Sequence, residues 1–236
     1  MTLNVVKGKF QWAKITKKEQ LTEDLWKMWL KPEQKFDFKP GQYCTIGSGG
    51  IERAYSIASS PEEDQIELFV ELVPPPDGNL TPLLDELNVG DTVTMRLRAK
   101  GIFVIKPDFK NHVMVGTVTG IAPYVSMLRK HLKEADYSNC NFYVLEGASY
   151  LDEFGYDEEL SNFDSNNDNV VAPMVAFYPN PSNGSLNFNT SLNIKQVSIW
   201  DFNARLVQEI KDVTNRIDLN QLDAGMYIIG IETQEG

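Results

Sequence analysis

The sequence predicts a multidomain protein: an antiparallel β-barrel at residues 1–108, a truncated α/β nucleotide-binding domain at 109–160, a linker at 161–172 and a β-sandwich at 173–236. Three observations predict this. Short alternating segments divided by glycine and proline turns fill the first part, as in antiparallel barrels. A β-α-β pattern follows, which is the beginning of a parallel sheet. Asparagine then becomes frequent, with six in the first 160 residues and twelve in the rest.

The barrel prediction rests on alternation of apolar and polar side chains. Gln65–Val73 and Asp91–Arg98 both alternate with the period of a half-buried strand. Between them, Thr81–Leu87 predicts one short helix with a polar start suited to capping, and Gly90 marks its end.

The α/β prediction rests on three segments. His112–Val115 and Asn141–Leu145 are short apolar strands, and Pro123–Glu134 between them has helical periodicity. About 50 residues are available here, whereas a complete doubly wound domain needs on the order of 100 or more. We therefore expect a truncated sheet with uncovered apolar edges.

Composition narrows the class of protein. The net charge of −11 disfavours binding to nucleic acid or anionic membranes. Two cysteines, Cys44 and Cys140, without histidines at ligand spacing predict neither a disulfide framework nor a metal site. No apolar run approaches the roughly 20 residues of a membrane span. The segment Met1–Gln20 lacks the apolar core of a secretory signal, which predicts a cytoplasmic protein.

A run of lysines near the N-terminus has two interpretations. It forms either a basic patch for an acidic partner or an ordinary solvated face, and the second is the more common outcome. The lysines are Lys7, Lys9, Lys14, Lys17 and Lys18.

The segment Arg53-Ala54-Tyr55-Ser56 carries the chemistry that a flavin requires. A flavin needs an aromatic plate, a hydroxyl at its polar edge and a cation for its diphosphate. Residues 53 and 55 of a strand project from one face and residue 56 from the other. Downstream, Gly78-Asn79-Leu80-Thr81 opens the short helix, whose free N–H groups can donate hydrogen bonds to phosphate oxygens.

Together with the turn at Asn88–Asp91, these motifs resemble the FAD domain of the ferredoxin (or flavodoxin)–NADP reductase family. The resemblance implies that Arg53 and Thr81 hold the pyrophosphate and that Tyr55 and Ser56 meet the isoalloxazine. The alternative is that Tyr55 is a cross-strand packing residue and Arg53 a surface charge.

The loop Gly116-Thr117-Val118-Thr119-Gly120, which continues to Pro123, resembles the nicotinamide loop of the same family. Val118 stands where the family has its middle glycine, and a β-branched residue is costly there if the backbone needs positive φ. The resemblance implies cofactor contacts from the other four residues of this loop. It implies the same for Ala148 and Ser149, which follow the second parallel strand; Ser149 is otherwise loop filler.

The C-terminal part resembles the type A sorting domain of the type IX secretion system. The matching segments are Tyr178–Pro181, the strand ending at Asp201 and Leu222–Tyr227, whereas the usual final basic-apolar strand is absent. This resemblance implies export to the cell surface or medium, in conflict with the cytoplasmic prediction. We therefore expect a fusion of two truncated genes. The alternative is an ordinary β-sandwich.

The first functional hypothesis is a FAD-dependent oxidoreductase that exchanges hydride with NADPH (or NADH) and passes electrons to ferredoxin or flavodoxin. The flavin supplies this chemistry, so no catalytic side chain is assigned. A second hypothesis is a flavin-binding module without reductase activity. A third, from another class, is a non-catalytic exported protein whose working part is the sorting domain.

Overall fold

The computed structural model describes residues 9–133, 140–165, 171–190, 192–201 and 203–234. The chain divides into two compact units. The first comprises Met1–Lys110 and Thr119–Cys140, and the second comprises Asn111–Val118 and Asn141–Gly236.

Fourteen strands and three α-helices make up the described part of the chain. The strands are β1 (Phe10–Gln20), β2 (Leu25–Pro32), β3 (Tyr43–Ser48), β4 (Ile51–Ser56), β5 (Ile66–Glu71), β6 (Thr92–Arg96), β7 (Asn111–Thr117), β8 (Asn141–Gly147), β9 (Val171–Tyr178), β10 (Ser185–Asn189), β11 (Ile194–Trp200), β12 (Leu206–Lys211), β13 (Arg216–Asp218) and β14 (Ile228–Thr233). The helices are α1 (Thr81–Asp85), α2 (Ala122–Lys133) and α3 (Asp157–Ser165).

The first unit contains a six-stranded antiparallel barrel with strand order β4-β3-β6-β1-β2-β5. The predicted alternation in Asp91–Arg98 is confirmed: on β6, Val93 and Met95 are buried and the residues next to them are not. The predicted half-buried strand in Gln65–Val73 is wrong, because β5 is buried from Ile66 to Val70, with Glu67 covered by Arg129 of α2. The barrel is nearly closed, since the backbone N–H of Ala58, just after β4, donates to the carbonyl of Glu67 on β5 at 2.9 Å. The predicted barrel is therefore confirmed.

Two glycine-containing turns fix the barrel. At Gly41, φ is +91°, and a Cβ would lie 2.0 Å from the carbonyl oxygen of Phe103, so no other residue fits. In the turn before β6, the Asp91 carboxylate accepts from the N–H of Asn88 at 2.8 Å, and Gly90 N–H donates to Ile15. The predicted turn at Asn88–Asp91 thus joins β6 to β1.

The second unit contains a five-stranded mixed sheet with strand order β13-β10-β9-β8-β7. Strands β7, β8 and β9 are parallel, while β10 and β13 add antiparallel pairs. The sheet differs from the expected two-strand fragment because β9, contributed by residues 171–178, pairs with β8. Strand β7 lies at the end of the sheet, and there Val113 and Val115 are 65% and 59% exposed.

The segment predicted as a linker at 161–172 has regular structure wherever it is described. Helix α3 continues to Ser165, and β9 begins at Val171. Three acidic residues in the first turn of α3, Asp157, Glu158 and Glu159, favour the helix through its dipole. The polar composition that suggests a linker therefore belongs partly to an exposed helix.

A three-stranded sheet, in the order β12-β11-β14, completes the second unit. Its buried residues Val197 and Ile199 share one core with Val175 of β9, Phe188 of β10 and Ile217 of β13. Two sheets packed over one apolar layer form a sandwich. The predicted C-terminal sheets are thus present, although one of the two also contains β7 and β8.

Candidate functional site

The hairpin of β3 and β4 positions the predicted flavin residues. Across the hairpin, Arg53 lies opposite Ile46 and Tyr55 opposite Cys44, whereas Ser56 lies opposite Tyr43. Directly opposed residues share a face, so Arg53 and Tyr55 lie on the side of the buried Ile46 and Cys44. Ser56 and the exposed Ala54 lie on the other side.

Tyr55 and Arg53 differ in exposure. The Tyr55 ring is half-buried against the barrel core. This burial raises the pKa of its hydroxyl to about 12, although the nearby Arg53 charge acts in the opposite direction. The Arg53 guanidinium is exposed and donates to the carbonyl of its neighbour Glu52 at 2.8 Å. The hairpin thus combines a neutral phenol with an accessible cation.

The turn before α1 is built around Gly78. A Cβ on this buried glycine would lie 1.7 Å from the carbonyl oxygen of Val73, so the turn excludes every larger residue. Leu80 is buried and anchors the turn, while Asn79 is exposed. These contacts give the Gly78–Thr81 turn a fixed backbone.

The Thr81 hydroxyl, predicted to bind the pyrophosphate, is already hydrogen-bonded to the backbone of Val73. Its hydroxyl accepts from the N–H of Val73 at 2.9 Å and donates to the carbonyl of the same residue at 3.1 Å. A hydroxyl has one proton to donate. Since Val73 receives it, a phosphate at this turn would bind the backbone N–H groups and not the Thr81 hydroxyl.

Helix α1 lies beside the β3–β4 hairpin. The Leu83 side chain approaches to 3.0 Å of the position a Cβ would take on Gly49, at the tip of the hairpin. At the other end of α1, Lys18 Nζ donates to the carbonyl of Asp85 at 2.6 Å. The structure therefore brings the Arg53 strand and the Thr81 turn into the same region of the first unit.

Two of the N-terminal lysines, Lys17 and Lys18, have separate partners within the fold. Lys18 caps α1 and lies over the Trp26 ring at 4.8 Å, so its charge serves the fold. Lys17 pairs with Glu19 at 2.5 Å and lies over Trp29 at 4.1 Å. Lys7 lies outside the described residues.

The predicted nicotinamide loop contains a strained residue. Val118 has φ of +43° and begins a short 3₁₀-helix that ends at Ile121 and leads into α2. This is the positive φ at which a β-branched residue is unfavourable. Gly116 and Thr117 end β7 in the second unit, whereas Thr119 and Gly120 belong to the first. A Cβ at Gly120 would meet no atom within 4 Å, so this glycine borders open space.

Ala148 and Ser149 contact the C-terminal segment. Ala148 N–H donates to the Phe177 carbonyl at 3.1 Å, and the N–H of Asn180 donates back to the Ala148 carbonyl at 2.9 Å. The Ser149 hydroxyl donates to the Asn180 carbonyl at 3.4 Å. A Cβ on the adjacent Gly147 would lie 3.0 Å from the Phe177 ring. Both predicted cofactor residues are thus hydrogen-bonded to the strand end that carries the Tyr178–Pro181 motif.

Sequence reasoning missed this role of Phe177 and Asn180. The available signal was the position of Tyr178–Pro181 directly after an apolar stretch, which is typical of a strand end. That the strand pairs with β8 depends on tertiary structure.

The described residues offer neither a metal-binding cluster nor a membrane-spanning helix. No cluster of three or more His, Cys, Asp or Glu side chains there has an arrangement that would hold a metal ion. None of the described helices has the length and apolar character needed to cross a membrane.

The residues present fit the dinucleotide FAD. An exposed arginine suits a diphosphate, the turn before α1 has backbone N–H groups of the kind that bind phosphate, and a half-buried aromatic ring suits the isoalloxazine. The nicotinamide loop fits less completely, because Val118 occupies its position at the cost of backbone strain.

Three family models match the chain. Residues 12–101 match the oxidoreductase FAD-binding domain, and residues 114–190 match the oxidoreductase NAD-binding domain. Residues 176–236 match the secretion system C-terminal sorting domain. The last two matches share residues 176–190, the region in which β9 ends and β10 is formed.

Curated relatives are ferredoxin-linked reductases and related components. The flavodoxin/ferredoxin–NADP reductases of Shigella flexneri and Escherichia coli K12 are each 32% identical over 150 residues, covering 61% of this chain and 58% of each relative. The reductase component of propane 2-monooxygenase from Mycolicibacterium goodii is 33% identical over 152 residues, covering 60% of this chain and 42% of that protein. The chain thus spans less than two thirds of the length of these relatives.

Solved structures agree with these relatives. A ferredoxin NADP⁺ reductase from Neisseria gonorrhoeae with bound FAD and NADP has a TM-score of 0.62 at 25% identity, covering 72% of this chain and 68% of that one. The ferredoxin–NADP⁺ reductase of Plasmodium falciparum, at 22% identity, also has a TM-score of 0.62, over 73% of this chain and 72% of that chain. These findings confirm both resemblances: the chain has FAD-binding and NAD-binding domains homologous to those of ferredoxin–NADP reductases, and a sorting-domain match at its C-terminus.

Proposed function

We propose that this chain is a FAD-dependent oxidoreductase that exchanges hydride with NADPH. The observation that carries the proposal is the β3–β4 hairpin, which presents Arg53 and Tyr55 on one face and whose tip at Gly49 lies against Leu83 of α1, the helix that the Gly78–Thr81 turn opens. The matches to FAD-binding and NAD-binding domains support it. NADH is the alternative donor, and a ferredoxin or flavodoxin is the proposed electron acceptor, as in the names of the relatives.

In this proposal Arg53 binds the diphosphate. Its guanidinium is planar, permanently charged and exposed, and such a group forms strong charge-assisted hydrogen bonds to phosphate. The backbone N–H groups of residues 79–81 are proposed as further donors, whereas the Gly78 N–H already donates to the Pro74 carbonyl at 2.9 Å. Both elements belong to the first unit, so neither depends on the five-stranded sheet of the second unit.

Tyr55 and Ser56 orient the ring in this proposal. The bound flavin supplies the hydride and electron chemistry. Tyr55 retains its proton throughout the physiological range because its pKa is about 12, so it adds no negative charge beside the ring. Ser56 lies on the opposite face of β4 and offers a hydroxyl to a polar edge.

The nicotinamide step is assigned to the loop Gly116–Gly120. Its glycines permit close approach of a ligand, and Gly120 borders open space. Ala148 and Ser149 are proposed as further contacts. The backbone groups of Ala148 are already paired with Phe177 and Asn180, and Ser149 donates its N–H to the Glu153 carboxylate and its hydroxyl to the Asn180 carbonyl. We therefore propose that nicotinamide binding is weak compared with flavin binding.

The first experiment is the visible absorption spectrum of the purified protein, before and after anaerobic addition of NADPH. Flavin bands that bleach with NADPH support the full proposal. Flavin bands that persist reduce it to a FAD-binding module without reductase activity. A colourless protein that takes up no added FAD overturns the proposal.

A matched pair of variants tests the role of Arg53. Arg53→Gln should weaken FAD binding by roughly 10- to 100-fold, the equivalent of the 1.5–3 kcal/mol typical of a hydrogen bond to a charged group. Lys35→Gln removes an exposed cation of the same unit that pairs with Asp37, and it should leave FAD affinity unchanged. Equal affinities for both variants, measured by fluorescence titration, would remove Arg53 from the site.

A second candidate function is export through the C-terminal domain. The match of residues 176–236 to the sorting domain favours it, together with the β-sandwich core. It is tested by fractionating the producing cells and locating the protein by immunoblot. Protein at the cell surface or in the medium supports export, whereas protein confined to the cytoplasm argues against it.

A further inference from the structure

Helix α2 is attached to the barrel by a buried polar network. The network joins the segment after β4, strand β5 and α2, all within the first unit. Its members are Ala58, Ser59, Glu67, Ser126 and Arg129.

Two side chains of α2 donate hydrogen bonds to backbone carbonyls just after β4, the strand that carries the predicted flavin residues. Ser126 Oγ donates to the carbonyl of Ser59 at 2.7 Å, and both residues are fully buried. Arg129 Nη1 donates to the carbonyl of Ala58 at 3.2 Å and to the Glu67 carboxylate at 2.5 Å. Successive carbonyls at Ala58 and Ser59 therefore receive donors from one helix.

Glu67 closes the network from β5. Its backbone N–H donates to the Ser59 hydroxyl at 3.1 Å, and its carbonyl accepts from Ala58 N–H at 2.9 Å. Its carboxylate is bound by Arg129. The backbone of Glu67 thus binds Ala58 and Ser59 directly, and its side chain binds the arginine that donates to the Ala58 carbonyl.

The energetics indicate that this network fixes geometry more than it adds stability. The Glu67 side chain is 2% exposed and that of Arg129 is 15% exposed, so both charges have lost most of their hydration. A buried ion pair replaced by apolar residues of similar volume is often as stable or more stable. An apolar pair would therefore hold α2 on the barrel equally well, but it would not direct hydrogen bonds to particular carbonyls.

The network lies between the two segments assigned to the flavin and the nicotinamide. Ala58 and Ser59 follow Tyr55 and Ser56 by only a few residues, and α2 follows Thr119 and Gly120 directly. We propose that Arg129, acting with Glu67, is a positioning residue that sets the backbone of the Tyr55–Ser56 segment against the flavin. This inference rests on the proposed FAD-binding function. Arg129 acts through its hydrogen bond to the Ala58 carbonyl, and no contact between Arg129 and the cofactor is proposed.

Helix α2 also provides a matched control. Lys130, the next residue, pairs with Glu62 in the loop before β5. Lys130→Met removes one cation from the same helix without removing a donor to Ala58 or Ser59. Lys130→Met should therefore show any general effect of removing a cation from α2, but it should not change the backbone of the Tyr55–Ser56 segment.

The test compares four proteins: wild type, Arg129→Met, the double variant Glu67→Leu/Arg129→Met, and Lys130→Met. For each, the apo-protein melting temperature, the FAD dissociation constant and the visible circular dichroism of bound FAD are measured. Arg129→Met should be destabilised, because it leaves the Glu67 carboxylate buried without this cation. The double variant removes both charges and should regain the wild-type melting temperature.

The double variant distinguishes a positioning role of Arg129 from a purely structural one. We expect its FAD dissociation constant to rise about tenfold and the circular dichroism of its bound flavin to change, although its stability is restored; Lys130→Met should match wild type in both. Wild-type affinity and dichroism in the double variant would overturn the positioning role while leaving the proposed function intact. Wild-type protein that binds no FAD would overturn the proposed function itself, and this inference with it.

Discussion

The backbone N–H of Ala148 donates to the carbonyl of Phe177 at 3.1 Å, and this bond joins the nucleotide-binding segment to the sorting segment. It extends the parallel ladder between β8 and β9, which pairs Gly147 with Phe177. The same strand β9 pairs with β10 on its other side. The two segments therefore share one sheet, and β9 stands in the 3-2-1 order of the first half of a doubly wound domain.

Because the sheet is continuous, damage to the sandwich core should reach the nucleotide-binding strands. Ile199→Ala removes a fully buried side chain and should lower the free energy of unfolding of the second unit by about 2–5 kcal/mol. Hydrogen exchange should then show faster amide exchange in β8 and β9, with the barrel strands β1 and β2 unchanged. Ile228→Ala, at a mostly exposed position of the same small sheet, is the control and should change little. Unchanged protection of β8 in Ile199→Ala would show that the two parts unfold separately.

Alanine substitutions at Gly41 and Gly50 distinguish the cost of backbone strain from the cost of a steric clash. Both have positive φ, +91° and +84°, but a Cβ at Gly41 would lie 2.0 Å from the Phe103 carbonyl, whereas one at Gly50 would meet nothing within 4 Å. Gly50→Ala should cost about 1–2 kcal/mol from the left-handed backbone alone. Gly41→Ala should cost at least about 1–3 kcal/mol more, because the chain must also move to admit the methyl group. Urea unfolding of the two variants measures this difference, and equal losses would contradict it.

Val118→Gly should stabilise the protein. Replacing Val118 by glycine removes the cost of a left-handed conformation, about 1–2 kcal/mol. The larger conformational entropy of glycine in the unfolded chain offsets roughly 0.5–1 kcal/mol of this gain. The expected net gain is about 0.5–1 kcal/mol in urea unfolding, with faster NADPH bleaching of bound FAD if the loop binds nicotinamide. Val113→Gly is the control, since Val113 lies in the regular strand β7 and its replacement should destabilise. A loss of stability in Val118→Gly equal to that of the control would argue against strain at Val118.

Alkaline pH should destabilise the barrel through Cys44. Burial raises the pKa of its thiol from 9.0 to about 12, although a backbone hydrogen bond partly opposes the shift. Below pH 9 the thiol is protonated in both states and contributes no pH dependence. Above pH 9 the unfolded chain releases this proton and the folded chain does not, so stability falls as pH rises toward 12.

The Cys44 contribution is isolated by comparing two pH profiles. Between pH 9 and about pH 10, the wild type should lose about 1 kcal/mol more than Cys44→Ala, because an unfolded-state thiol titrates only in the former. Tyr55→Phe is the control over this interval. The Tyr55 hydroxyl has its ordinary pKa of 10.0 in the unfolded chain, so its contribution to the pH dependence of stability lies mainly at higher pH. Parallel profiles for wild type and Cys44→Ala would contradict the buried thiol as the cause.

Local patterns were sufficient to predict strands of the barrel. Alternation over β6 depends only on which side chains face the core, and a period-two pattern records this directly. The alternation over β5 did not give its burial, because Glu67 on its second face is covered by Arg129 of α2. The positive φ at Val118 was also foreseeable, because a glycine loop with one β-branched residue defines the position that will be strained. The placement of Arg53 and Tyr55 on one face follows from the strand itself.

The tertiary structure alone decided which strands meet and which polar groups are used. Residues 171–178 read as the entry to a separate sandwich, yet their backbone completes the parallel sheet, since strand pairing depends on partners far away in sequence. The Thr81 hydroxyl and the Glu67–Arg129 pair show the same limit: composition identifies a group that can donate or carry charge, but only the folded chain determines its partner. The sequence by itself thus determined the chemistry available to this protein, and long-range packing determined how that chemistry is arranged.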